Sequence, residues 1–337
     1  MKKKISINDI AKALGISITT VSFILNGRAE EKRISESLVK KVQDFINEVD
    51  YKPNSLARSL RTGKTNIIGL MVEDISYPFF SIIARLIEEK SYQNGYKIIY
   101  CSTENNTAKT RELINMYSER HVDGYIIVPP EGVEEDVKAL IASGKPVVQV
   151  DRYLSGIETD AVVINNLESA YHATKHLIDN GYKNVALVTI DSQQLQMRDR
   201  LLGYKKAMSE VGLTQYIKEI AYDSAQAVQQ ITAFLQKEQN VDAIFFATNY
   251  LCVSGLKAIN NLNIKIPQQI GVVSFDDYEL FEMYSPSITT VSQPAEKIAE
   301  QVINLLLARL KKHNASKKTE CIVLPTSFIV RDSSVRL

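Results

Sequence analysis

The stretch "GISITTVSFILNG", residues 15–27, places small and uncharged side chains where two short apolar runs meet. Ser17, Ile18, Thr19, Thr20, Ser22 and Phe23 cluster at the start of the second run. Hydroxyls at such a place hydrogen-bond base edges or phosphates, and an isoleucine or threonine methyl meets a thymine methyl. In a helix-turn-helix it is the start of the second helix that enters the major groove. The plain alternative is a three-helix packing module with no ligand.

A second set of candidates follows the apolar runs of the remaining chain. Asp74, Tyr77, Phe79 and Phe80 come after "NIIGLMV", Asp151 and Arg152 after "PVVQV", Asn249 after "AIFFAT" and Asp276 after "GVVSF"; Arg198 precedes "RLLGY". A sugar site needs aromatic faces for C–H patches and planar polar groups for hydroxyls, and these residues supply both. Each has a structural alternative: Asp276-Asp277 as a turn cap, Arg200 as an ion-pair partner, the aromatics as core.

Other spacings carry less chemistry. His172 and His176 stand four apart, but Ala173 occupies the place of the glutamate in H-E-x-x-H, so surface histidines are expected. "RTGKT", residues 61–65, imitates the end of a phosphate loop, yet Arg58 stands where that loop requires glycine, and the segment precedes its strand. No G-x-S-x-G elbow or G-x-G-x-x-G loop occurs in the chain. No enzyme activity, metal or cofactor is expected.

The elements that must position these residues are readable. Ser6-x-x-Asp9 is a capping box that starts a helix near Ile7, with Ile7, Ile10, Ala11 and Leu14 on one face. Gly15 permits a left-handed turn, Ser17 caps a second helix that turns Val21, Ile24 and Leu25 inward, and Asn26-Gly27 ends it. A third helix fits from Ser35 onward. From Thr65 the chain alternates. "NIIGLMV", "KIIYCS", "GYIIV" and "PVVQV", with helices over 79–93, 109–119 and 134–141, make a first half. "VINN", "NVALVTI", "AIFFA" and "IGVVSFDD", with helices over 167–179, 199–210, 225–236 and 251–260, make a second. Such alternation builds parallel sheets covered on both faces, here two doubly wound lobes with a cleft at the strand C-terminal ends.

Bulk properties agree. The 337 residues suit two or three domains, with 45% apolar and 23% charged residues. No apolar run reaches the roughly 20 residues of a membrane helix, and no signal-peptide core follows "MKKKISINDI". Net charge is +1, unevenly spread: residues 1–64 hold 13 Lys/Arg against 7 Asp/Glu, a balance of +6, and the remainder a balance of −5. A basic head on an acidic body points to a polyanion partner at one end. Cys101, Cys252 and Cys321 read as buried thiols in a reducing compartment.

"INDIAKALGISITTVSFILNG" resembles the N-terminal signature of LacI/GalR-type transcriptional regulators, and "YKPNSLARSLRTGKT", residues 51–65, their hinge segment. "DISYPFF", "HVDGYIIVP", "RDRLLGY", "ATN" and "GVVSFDD" extend the resemblance over nearly the whole chain. It implies an all-α helix-turn-helix headpiece followed by an α/β periplasmic-binding-protein-like body of two doubly wound parallel-sheet lobes. The implied domains are residues 1–50 for the headpiece, 51–64 for a hinge helix and linker, and 65–337 for effector binding and dimerisation. Lobe 1 would take about 65–162 and 292–324, and lobe 2 about 163–291 and 325–337. Arg28, with Lys2, Lys3, Lys4, Lys32 and Arg33, offers positive charge for phosphate contacts; the resemblance adds Ser6 and Asn26 to the DNA set, and the hinge residues Asn54, Ala57, Arg58 and Leu60, with Leu60 as an apolar wedge in the minor groove. By the same correspondence Arg198, Asn249 and Asp276 contact hydroxyls, Phe79 or Phe80 forms the apolar wall, and Arg152 either binds a carboxylate or holds Asp151.

Two departures stand out. Phe23 occupies a position where the family usually has arginine; it either contacts a thymine methyl or packs inside the headpiece. Tyr250 follows Asn249 where the family often has aspartate. The function implied is that of a cytoplasmic, homodimeric repressor binding a palindromic operator and controlled by a small effector, a sugar or sugar derivative, between the lobes. A purine or other metabolite is the alternative effector. A free sugar-binding protein is the rival from another class, disfavoured by the basic headpiece.

Overall fold

The computed structural model describes residues 5–51, 59, 63–221, 226–311 and 318–336. It contains two compact units, Met1–Thr65 and Asn66–Leu337.

In the first unit, α1 (Ile7–Leu14), α2 (Ile18–Leu25) and α3 (Glu36–Glu48) close around a small core of Ile10, Ala11, Val21, Ile24 and Val42. Ser6 caps α1 reciprocally with Asp9: the Ser6 amide donates to the Asp9 carboxylate at 2.9 Å and the Asp9 amide to Ser6 Oγ at 3.3 Å. Gly15 then takes φ +66°, the left-handed conformation that costs glycine no Cβ clash, and the chain turns by 113° between α1 and α2. That bend is the helix-turn-helix geometry. Asn54, Ala57, Arg58 and Leu60 lie outside the described residues.

The second unit holds two six-stranded sheets. The first has strand order β11-β5-β4-β3-β1-β2, from β1 (Ile67–Val72), β2 (Lys97–Ser102), β3 (Gly124–Ile127), β4 (Val147–Val150), β5 (Asp160–Ile164) and β11 (Cys321–Leu324). The second has order β12-β10-β9-β8-β6-β7, from β6 (Val185–Ile190), β7 (Tyr216–Ile220), β8 (Ala243–Phe246), β9 (Gly271–Phe275), β10 (Thr289–Ser292) and β12 (Ser327–Ile329). Every pairing is parallel except β10 with β12. The central strands are buried along their whole length, as a sheet covered on both faces requires.

Helices α4 (Pro78–Gln93), α5 (Thr107–Glu119), α6 (Glu134–Ala142) and α12 (Ala295–Leu310) belong to the first lobe, where α12 packs against α4 and β3–β5. Helices α7 (Asn166–Asp179), α8 (Leu195–Glu210), α9 (Ala227–Lys237), α10 (Asn249–Asn261) and the short α11 (Glu279–Met283) belong to the second. The chain passes between the lobes after β5, after β10 and after β11. The first and third crossings are stitched together: the Thr326 amide donates to Asn165 Oδ1 at 3.0 Å, and Ser169 and Thr326 hydroxyls meet at 2.7 Å.

Several expectations need correction. The strand expected at "VINN" is β5, which starts at Asp160 and pairs within the first sheet. β7 went unread, because Lys218 and Glu219 interrupt its apolar pattern at the open edge of the second sheet. Helix α8 begins four residues before the expected Asp199. Cys252 is buried, but Cys101 is only partly so and Cys321 is exposed. His172 is exposed, whereas His176 is half-buried and bonds Ser334 at 2.8 Å, so it is not a surface histidine. No single helix among the described residues is long and apolar enough to cross a membrane.

Candidate functional site

On the headpiece, α2 exposes Ser17, Ile18 and Thr19, with Ile18 46% exposed and free of the core. Ser17 Oγ accepts the Thr20 amide at 3.0 Å and meets the Thr20 hydroxyl at 2.8 Å. The N-cap thus uses one hydroxyl to hold another at the helix start, where unsatisfied amides favour an anion. Ser6 directs its hydroxyl to Asp9 at 2.6 Å, so its part here is the cap. Asn26 folds back to donate to the Ser22 carbonyl and ends α2.

Phe23 is half-buried and lies outside the headpiece core. Its ring is flanked by the Arg28 guanidinium at 5.6 Å and the Lys32 ammonium at 5.4 Å. Arg28 also forks onto Glu31 at 2.7 and 2.6 Å, and this pair holds the exposed Glu31 carboxyl down at about 2. Two cations therefore lie against the Phe23 ring in the last turn of α2.

In the body, a cavity of about 430 Å³ lies between the strand C-terminal ends of the two lobes. The first lobe supplies Tyr77, the N-cap of α4, then Phe79 and Phe80 from its first turn, whose rings meet edge-on at 5.1 Å. Pro78 at the first helical position fixes that entry. The first lobe also supplies Glu73, Asn105, Asp151 and Arg152. Arg152 is 2% exposed and donates to the Pro129 carbonyl (2.7 Å), Glu73 (2.8 Å), Asp151 (3.2 Å) and Asn105. Its guanidinium is thus committed to protein acceptors. Burial pushes the Asp151 carboxyl up to about 6 against the opposing pull of Arg152 and Arg200.

The second lobe supplies Gln196, Met197 and Arg200 from α8, Thr248, Asn249 and Tyr250 from the start of α10, and Asp276 after β9. Arg200, 2% exposed, donates to Asn166 at 2.9 Å and the Ala247 carbonyl at 2.7 Å. It lies 3.8 Å from Asp276 and 3.6 Å from the centre of the Phe275 ring. Burial raises Asp276, while Arg200 and a 2.6 Å bond from Gln293 pull it back. Asp277 turns away to a fork with Arg331 at 2.9 and 3.1 Å. Among the described residues, three cavity amides carry a buried atom with no hydrogen bond: Gln196 Oε1, Asn249 Nδ2 and Gln293 Oε1.

The cavity brings together Tyr77, Phe79, Phe80, Arg152, Asn249 and Asp276, all expected from sequence. It does not include Arg198 or Asp74. Arg198 is exposed, because on α8 the inward face runs through Gln196, Met197, Arg200, Gly203 and Tyr204, and Arg198 points about 200° away from Arg200. The helix places Arg200 in the cavity instead. Asp74 caps a local turn, accepting the Ser76 amide at 2.8 Å, and Glu73 lines the cavity in its stead. Sequence reading also passed over Asn105, Gln196 and Gln293. Counting the helical face back from Gly203 would have found Gln196 and Arg200; Asn105 and Gln293 lie in connections without a periodic signal.

Comparison with known proteins agrees with both halves. Residues 6–54 match the model described as bacterial regulatory proteins, lacI family, and residues 174–334 that of the periplasmic binding protein-like domain. A repressor called PurR from Photobacterium profundum is 30% identical over 318 residues, 93% of this chain and 94% of that protein. The Lac repressor dimer bound to operator and the anti-inducer ONPF shares the fold with a TM-score of 0.87 and 21% identity, over 99% of this chain and all of that one. A LacI-family regulator from Enterococcus faecium with bound ribose superposes at 0.72 with 26% identity, over 80% of this chain and 99% of that one. The chain belongs to the LacI family of transcriptional regulators, DNA-binding repressors that are not enzymes.

Proposed function

We propose that this repressor binds a palindromic operator as a homodimer and that a small neutral sugar, held between the lobes, sets its operator affinity. The carrying observation is the set of unpaired amide atoms in the cavity. Gln196 Oε1 and Gln293 Oε1 want donors and Asn249 Nδ2 wants an acceptor, and hydroxyls serve as both. The charge balance argues against an anionic effector: both cavity arginines are faced by buried Glu73, Asp151 and Asp276. Phe79 and Phe80 offer the apolar faces that a sugar ring covers. The ribose bound to the Enterococcus regulator is consistent with this class.

A purine base is the second reading, favoured by the PurR name of the 30%-identical relative. Thermal unfolding of the full chain with D-ribose, other pentoses, hexoses, sugar phosphates and purine bases separates the two, because a ligand of the folded state raises the midpoint by mass action. A shift with neutral sugars alone is expected; a shift with purines alone overturns the sugar reading.

On the DNA side, Ser17, Ile18, Thr19, Thr20, Ser22 and Phe23 are read as the base-facing set, with Arg28 on a phosphate. Asn54, Ala57, Arg58 and Leu60 complete it by resemblance. Leu60→Ala is expected to weaken operator binding much more than binding to random duplex; equal losses would remove the wedge role.

A further inference from the structure

Tyr77 and Tyr250 stack on each other across the cleft, with ring centres 4.7 Å apart and planes 14° from parallel. Tyr77 comes from the first lobe, at the N-cap of α4, and Tyr250 from the second, in the first turn of α10. Both rings line the cavity, so this contact forms between the two lobes at the cleft itself, away from the three crossings of the chain. Lobes that separate must part these rings.

We propose that the Tyr77–Tyr250 stack is an aromatic clasp that holds the two lobes closed in the absence of any effector. A stacked pair of this kind, half-buried at a cleft wall, opposes opening by the worth of its stacking together with the apolar area it keeps from water. The equilibrium between open and closed lobes is then displaced toward closure before ligand arrives, and an entering ligand finds a largely assembled cavity. Tyr250, at the position where the sequence departs from its family's pattern, is the residue that sets this bias. The proposal concerns the ligand-free protein and does not depend on the effector being a sugar.

The test uses full-length protein with no added ligand. Nitroxide labels on Glu135→Cys in α6 and Lys237→Cys in α9, in a Cys101→Ser, Cys321→Ser background, report the distance between the lobes by pulsed electron resonance; both labelled side chains are more than 80% exposed. The parent and Tyr250→Phe are expected to share one short distance, since phenylalanine keeps the stack. Tyr250→Ala and Tyr77→Ala are each expected to raise the longer-distance population by about two- to tenfold, the range an aromatic pair commands. The double variant should go no further than either single one, because both remove the same contact. Circular dichroism melts identify any variant that fails to fold, and either single alanine variant suffices if the other is lost. Unchanged distances in the folded alanine variants overturn the clasp. Tyr250→Phe opening the lobes as far as Tyr250→Ala does the same, because it assigns the effect to the hydroxyl.

Discussion

Asp151 and Asp276 hold the same post in the two lobes. Each is the first residue after a central strand, each is buried, and each takes a left-handed backbone conformation, φ +70° and +68°. Each also faces a buried arginine, Arg152 in the first lobe and Arg200 in the second. Such φ values cost a non-glycine residue on the order of 1 kcal/mol and persist where the surroundings over-determine them. The same backbone turn thus ends a central strand of each lobe at the cavity wall.

The two arginines of α8 give a direct contrast. Arg200→Ala leaves Asp276 buried beside no guanidinium and is expected to lower the unfolding free energy by about 3 kcal/mol and abolish the ribose-induced thermal shift. Arg198→Ala, on the exposed face, is expected to stay within about 0.5 kcal/mol and keep that shift. Urea unfolding with and without ribose measures both, and equal effects would contradict the assigned faces.

Asn249 separates binding from folding. Its Nδ2 has no hydrogen-bond partner among the described residues, so Asn249→Ala removes a donor that makes no bond within the fold. Stability is expected to change far less than for Arg200→Ala, while ribose affinity by calorimetry falls about tenfold, the worth of one buried hydrogen bond. Unaltered affinity would place the ligand elsewhere.

Asp151 carries a pH signature. Its carboxyl is raised in the fold from the ordinary 3.8 to about 6, so between these values the folded protein binds more protons than the unfolded chain. Stability contributed by this group therefore falls as pH rises through about 4 to 6 and is level on either side. Asp151→Asn lacks that loss. The midpoint difference, variant minus parent, is expected to climb from pH 4 to pH 7; a difference falling over the same range would reverse the sign of the burial effect.

Arg28 is held by Glu31 on the exposed headpiece surface. Glu31→Gln frees its guanidinium for phosphate and is expected to tighten duplex binding at low salt by about two- to fivefold, as an exposed ion pair permits. The gain should shrink as salt rises, because phosphate contacts release counterions. Fluorescence anisotropy over a salt series checks this, and weaker binding would show that Glu31 positions Arg28 productively.

Gly203 lies where α8 crosses α7. A Cβ there would meet the Leu167 carbonyl oxygen and, at 2.8 Å, the Tyr171 amide nitrogen, neither of which can rotate aside. Gly203→Ala is expected to cost about 3 kcal/mol by urea unfolding. A near-neutral result would mean that the helix pair gives way easily.

Much of this molecule was legible before its structure. The Ser6 and Ser17 caps, the Gly15 turn and the inward faces of α1 and α2 rest on local chemistry that needs no tertiary partner. The strand-end logic located Tyr77, Phe79, Phe80, Arg152, Asn249 and Asp276. It failed by one residue at Glu73 and by two at Arg200, because facing is decided by the phase of β1 and α8, and a boundary error of a few residues scrambles the phase. β7 was hidden because an edge strand tolerates Lys218 and Glu219. The Tyr77–Tyr250 stack had no local signature at all, since its rings meet only after both lobes have formed.

The stitched first and third crossings, near Asn165 and Thr326, and the second at Gln293 are three parallel tethers between the two lobes. One tether would let the blocks tumble and two would let them swing and shear. Three restrict the relative movement of the lobes further than one or two could. That restraint comes from the wiring of the chain and is independent of whatever molecule enters the cavity.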